Sequence, residues 1–203
     1  MRTTLSAVQT KQLNNASSNS PTGVVEVVTS LRIPTGLNSG DFLELTDAQA
    51  AALSDTASGY QKLYSGIYQR VKFTAVTSLA VGQACFWNPS DTSDPYAVTP
   101  VYAAGNKNNF AGVVIDPNTL AAQWAWIQVL GKASALFGTI GNGTPAIGDA
   151  VVLTAGANTF EDPASNVTWN SINHLAGNIG VALVAPASTT LSLVDIKRAQ
   201  SRF

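Results

Sequence analysis

Apolar and polar positions along this chain alternate mostly with a period of two, the spacing of strands with one buried face. Residues 24–33 (VVEVVTSLRI) form a β-branched run that stops at Pro34, and residues 41–45 (DFLEL) alternate apolar and acidic positions. Both predict strands, and the PTGLNSGD stretch between them supplies turn chemistry. From about residue 60 the chain becomes a series of short apolar runs broken by Gly, Pro, Asn and Asp, with turn signals roughly every ten residues. GQACFWNP, FAGVVIDP, GDAVVLTAG and IGVALVAP are examples. Such a pattern predicts a mainly β fold, a compact β-barrel or β-sandwich. Residues 124–130 (WAWIQVL) and 190–196 (TLSLVDI) each alternate, so one face of each is expected in a core and the other outward.

One segment departs from this period. Residues 46–59 (TDAQAAALSDTASG) predict the single short helix. Thr46 caps its start and Gln49 completes a capping box. Asp47 sits at the positive end of the helix dipole, and Gly59 stops the helix. A helix of about three turns is too short to form a core alone, so it is expected to pack on a sheet.

The runs also repeat. AVGQACFW (80–87) matches AIGDAVVL (146–153), sixty-six positions on; FAGVVI (110–115) matches NIGVAL (178–183), sixty-eight on. WAWIQVLGKA (124–133) parallels LSLVDIKRA (191–199), sixty-seven on. Three blocks in one order at nearly one offset predict an internal duplication, with related halves at 76–133 and 143–199 inside a β-domain of residues 76–203. Each half is expected to be a unit of three or four strands that pairs with the other to close one core. The Val-Gly-Gln and Ile-Gly-Asp steps are expected to be tight turns into a strand. Ahead of the β-domain lie a strand and helix region (23–75) and a polar, Ser/Thr/Asn-rich stretch (1–22). The latter reads as an extended arm with a reach of at most about 70 Å, enough to touch a neighbouring subunit.

Composition narrows the function classes. Charged residues make up 11% of the 203, against about a quarter in an average soluble domain. The polar surface must therefore come from Ser, Thr, Asn and Gln, which suits broad static contacts. A formal net charge of −1 argues against nucleic acid as a partner. Lys197, Arg198 and Arg202 are the one basic cluster and read as a solvated tail. No apolar run approaches the roughly 20 residues of a membrane span, and the first residues lack the apolar core of a signal peptide. A soluble protein made in a cytoplasm is expected, and a single cysteine, Cys85, allows no internal disulfide.

No catalytic set, cofactor site or metal site is expected. His174 stands alone, with no G-x-S-x-G elbow. Cys85 lies within an apolar strand and reads as a buried small hydrophobe. Asp91 and Asp94 read as turn residues, as do Glu161 and Asp162 before Pro163. GTIGNGT (138–144) lacks the Lys-Ser/Thr of a phosphate loop and reads as a loop. Asn15, Asn142 and Asn166 sit in N-x-S/T patterns that carry no weight without secretion. Trp124 and Trp126 share a strand face, which packs in the core, meets another subunit or stacks on a sugar. The pair is the one candidate interface.

The stretch from about 76 to 199 resembles the small β-domain cement, or decoration, proteins of tailed-bacteriophage capsids. The residues that carry the likeness are AVGQACFW and AIGDAVVL, AGVVIDP, VLGKASALFG and IGVALVA. The arm and helix before residue 60 fall outside it. The resemblance implies a non-enzymatic virion protein, assembled in the host cytoplasm, that sits on the outer capsid surface and binds the major capsid protein, often as a homotrimer. Two other readings share the β content: another virion part, such as a tail or head–tail joining protein, and a carbohydrate-binding module built on Trp124 and Trp126.

Overall fold

The computed structural model describes residues 2–4, 40–53, 62–74, 79–100, 109–115, 124–138, 145–153, 158–161 and 179–197. The arm beyond residue 4, the 24–33 strand, the stop at Gly59, the loop from 139 to 144, Trp169 and His174 lie outside the described residues, as do the three N-x-S/T asparagines.

The fold is mainly β, as expected. Strands β1 (Arg2–Thr4) and β2 (Phe42–Leu45) pair in parallel, and β2 pairs antiparallel with β3 (Gly66–Phe73). Helix α1 (Asp47–Leu53) lies between β2 and β3 in the chain. Its capping box forms as expected: the Gln49 N–H donates to Thr46 Oγ1 at 3.3 Å, and the Thr46 N–H donates to Gln49 Oε1 at 3.0 Å. Strands β4 (Ala84–Trp87), β5 (Ala97–Thr99), β6 (Phe110–Val114) and the thirteen-residue β7 (Trp124–Leu136) follow. The last four are β8 (Ala150–Leu153), β9 (Phe160–Glu161), β10 (Gly180–Ala182) and β11 (Leu191–Ile196).

Their pairings close two rings that share β7. In the first, β3 pairs with β5, β5 with β4, β4 with β6, β6 with β7, and β7 returns to β3. In the second, the far half of β7 pairs with β11, β11 with β10, β10 with β8, and β8 with β9. A bridge from Phe137 to Phe160 completes the circuit. Gly131, with φ +91°, marks the handover along β7: residues before it face β3, and those from it onward face β11. Closing a ring removes open sheet edges.

Residues at equivalent places in the repeated sequence blocks have equivalent ladder partners. Ala84 pairs with Val113 in the first ring, and Ala150 with Val181 in the second. Val114 pairs with Ile127, and Ala182 with Val194. Phe86 pairs with Thr99, and Val152 with Glu161. The first two correspondences follow the sequence offsets. The match also recruits elements that the sequence blocks omit: β5 corresponds to β9, and β3 to the far half of β7. The first ring thus takes a strand from before residue 76, and the halves meet within one strand. A shared glycine fits the same place in each. A Cβ on Gly112 would lie 2.6 Å from the Gln128 carbonyl oxygen, and one on Gly180 would meet the equivalent carbonyl of Asp195.

Burial follows the rings. Val71, Cys85, Trp87, Val98, Val114 and Ile127 are among the side chains that fill the first. Their equivalents Ala135, Val151, Leu153, Phe160, Ala182 and Val194 belong to the second cluster, with Leu153 at its edge. That cluster also takes in Ala84, Phe86, Phe110 and Val113, from the opposite face of β4 and β6. Each half therefore closes its own circuit of backbone bonds, while the second shares its core with the outside of the first. A single core between two half-units was the simpler expectation. The difference arises because every residue of β4 and β6 is buried, so both faces of these strands serve as core.

Candidate functional site

The Gly-polar turns sit at the same place in each ring. The Gly82 N–H donates to the Val114 carbonyl at 2.8 Å, and the Gly148 N–H donates to Ala182 at 2.9 Å. Gln83 Oε1 accepts from the Ala80 N–H at 2.8 Å, and Asp149 Oδ2 accepts from the Ala146 N–H at 2.7 Å. Both glycines are left-handed, with φ +84° and +96°. Their surroundings differ. Gly82 is roofed by the second ring: the Leu136 N–H donates to its carbonyl at 2.8 Å, and Leu191 lies over its α-carbon. Among the described residues nothing lies within 4 Å of the place a Gly148 Cβ would take.

Trp126 is 2% exposed. It projects from the outside of the first ring and is packed with Ile115 under a layer made by Leu43, Leu45, Ala50 and Leu63. That layer explains why the 124–130 segment departs from the expected alternation: residues 125–129 are all buried, because β2 and α1 cover the face that a lone ring would present to water. Trp124 pairs with Lys72 at the end of β7, and its side chain lies outside the described residues. The Trp126 indole itself is covered and offers no exposed ring.

Cys85 is fully buried in the first ring, with its thiol 3.4 Å from the Gly112 carbonyl. Burial pushes its pKa far above the ordinary thiol range, so the thiolate needed for nucleophilic chemistry is not formed at neutral pH. Asp91 Oδ1 accepts from the Ser93 N–H at 2.8 Å and from its hydroxyl at 2.6 Å, which holds the carboxylate below its usual pKa. Asp94 Oδ1 accepts from the Tyr96 N–H at 2.7 Å. These carboxylates shape the β4–β5 turn, the role the sequence suggests for them. Among the described residues no cluster of three His, Cys, Asp or Glu side chains could hold a metal, and no helix is long and apolar enough to cross a membrane.

Sequence reasoning missed a surface on the second ring. Ser192, Val194 and Ile196 face inward along β11, so Leu191, Leu193 and Asp195 face out. The Ser192 hydroxyl is satisfied inside by the Val184 carbonyl at 3.1 Å. Leu191 is 49% exposed, Val184 50% and Ile147 71%. The signal was present in the repeat, which aligns Leu193 with Trp126 and Leu183 with Ile115. It could be read only once the cover over the first ring was known.

No family model matches the chain, and no curated protein matches it. Among solved structures it is similar to the N base of head fiber gp8.5 of bacteriophage phi29, at 11% identity and a TM-score of 0.38. That match covers 67% of this chain and 98% of the phage chain.

Proposed function

We propose that this chain is a non-enzymatic virion structural protein that decorates and stabilises the outer capsid shell of a tailed phage by binding the major capsid protein. One observation supports the reading most directly: the stretch resembling the cement proteins, together with β3 before it, folds as two rings with matching ladder partners, tied by one strand. Closed rings with shared cores are rigid, and rigid modules suit a clamp, since little ordering entropy opposes binding. A neutral, hydrogen-bonding surface is consistent with broad contact to a protein lattice. In this reading the protein acts as a homo-oligomer, with a trimer favoured, and uses no cofactor. Cooperative contacts from several copies add through effective concentration.

The test is to add purified chain to undecorated capsids, pellet the shells, and measure their resistance to heat and low ionic strength. Saturable co-sedimentation with raised resistance is expected. A chain that neither binds shells nor co-purifies with virions overturns the proposal.

A further inference from the structure

At one buried place the matched rings differ in polarity. Gln69 lies two residues before Val71 on β3, so its side chain takes the same inward face, and its ladder partners Phe42 and Ile127 pack in that core. It is fully buried. Gln69 pairs with Ile127 as Ala133 pairs with Val194, so the second ring carries a buried alanine at the same place. A ring of this kind therefore closes without a polar group there. In the first ring the Gln69 Nε2 donates to the Gly40 carbonyl at 3.4 Å, near the long limit of a hydrogen bond. The other end of the carboxamide, Oε1, is the one buried side-chain nitrogen or oxygen among the described residues that has no partner. An unmatched acceptor in apolar surroundings is costly, and buried acceptors are ordinarily satisfied by protein or by ordered water.

We infer that the first ring binds an internal water molecule, which donates one hydrogen to Gln69 Oε1 and the other to the free lone pair of the Gly40 carbonyl, under a lid formed by Tyr96. Water is the occupant that the surroundings select. The acceptor faces a core of apolar side chains, which admits only a small donor, and two oxygens that both accept call for a group with two hydrogens to give. A carboxamide shared between the carbonyl and a water also fits the long direct contact. Gly40 forms the wall between this place and the outside. It turns its carbonyl to Gln69, and with φ +86° it sets its α-carbon against Tyr96, so that a Cβ there would fall on the Tyr96 ring. Tyr96 is half-buried, with its N–H held by the Asp94 carboxylate at 2.7 Å and its ring set edgewise to Trp87 at 6.5 Å. Exchange of the water with solvent then requires the Tyr96 ring to swing aside. The site belongs to the free protein and does not depend on the capsid reading.

The experiment is oxygen-17 magnetic relaxation dispersion of the full chain, which counts long-lived internal waters. Gln69→Met keeps the length of the side chain and removes the acceptor, and it is expected to lose about one such water per chain relative to the wild type. Tyr96→Ala leaves the acceptor in place. It is expected to keep the water and to shift the dispersion to higher frequency, as a shorter residence time does. If circular dichroism shows that Gln69→Met does not fold, the wild type decides alone. Its Gln69 side-chain amide protons are expected to show a nuclear Overhauser effect from water that is opposite in sign to the rotating-frame effect, which separates a bound water from proton exchange. A folded Gln69→Met chain with the wild-type dispersion, or a wild type without that Overhauser effect, overturns the inference. A Tyr96→Ala dispersion identical to the wild type overturns the lid.

Discussion

Gly82 and Gly148 make a matched pair of probes, because the two turns share backbone geometry and differ in what lies above them. Alanine at either site must adopt a left-handed φ, which costs about 1–2 kcal/mol for a residue with a Cβ. At Gly148 the new methyl meets none of the described residues within 4 Å, so the backbone cost is the whole cost expected. At Gly82 it would fall on Leu191 Cδ2, 3.0 Å from the Leu136 nitrogen and 3.2 Å from the Ser134 oxygen. Leu191 is half exposed and can swing aside. The two backbone atoms cannot move without disturbing the bond from the Leu136 N–H to the Gly82 carbonyl. Overpacking of this kind adds roughly 1–3 kcal/mol. Gly82→Ala should therefore lose about 2–5 kcal/mol and Gly148→Ala about 1–2 kcal/mol. For a chain of this size each kcal/mol moves Tm by about 2–4 °C, so the two variants should separate clearly in thermal melts, with urea titrations as the equilibrium check. Equal losses, or a larger loss at Gly148, would refute the claim that the second ring roofs the first at Gly82.

Three further outcomes are expected. Trp126→Ala should destabilise the chain by about 3–5 kcal/mol in urea unfolding, the cost of emptying a large buried site, while leaving any glycan signal unchanged. Removing the capping box with Thr46→Ala should cost about 0.5–2 kcal/mol, and far-UV circular dichroism should show the loss confined to the short helix. Stability should also fall in alkali. Burial raises the folded-state pKa of the Tyr68 phenol and the Cys85 thiol, so the unfolded chain releases these protons first. Their contribution is intact below the unfolded values of about 8.5 for Cys and 10 for Tyr, and declines as pH rises beyond them. Melts between neutral pH and alkali should show this decline, and the Tyr68→Phe, Cys85→Ala double variant should flatten it.

Local signals in the sequence were legible where local chemistry decides the structure. Thr46 and Gln49 form their capping box, and the 41–45 segment buries Leu43 and Leu45 while Phe42 and Glu44 stay half-buried, as alternation predicts. Residues at equivalent places in the repeated blocks keep equivalent partners, as Ala84 with Val113 and Ala150 with Val181 do. Three features were not legible. The alternation reads over 124–130 alone, yet β7 runs on through Gly131 to Leu136, because partners on either side hold it in line. The parallel contact of Lys72 and Phe73 with β5 links segments whose pairing no local pattern announces. The fate of Trp126 depends on a layer contributed by residues far earlier in the chain, so alternation alone could not distinguish a wet face from a covered one. The outward leucines of β11 are the reverse case, in which apolar character did not mean interior.

The strand shared by both rings has a mechanical consequence. A load that draws one ring away from the other runs lengthwise along thirteen continuous residues that β3 and β11 grip over most of their length. Such a load must shear those backbone bonds together and cannot peel them one at a time. The joint between the repeats should therefore be among the stiffest parts of the molecule under tension, and a single-molecule pull should break it in one event.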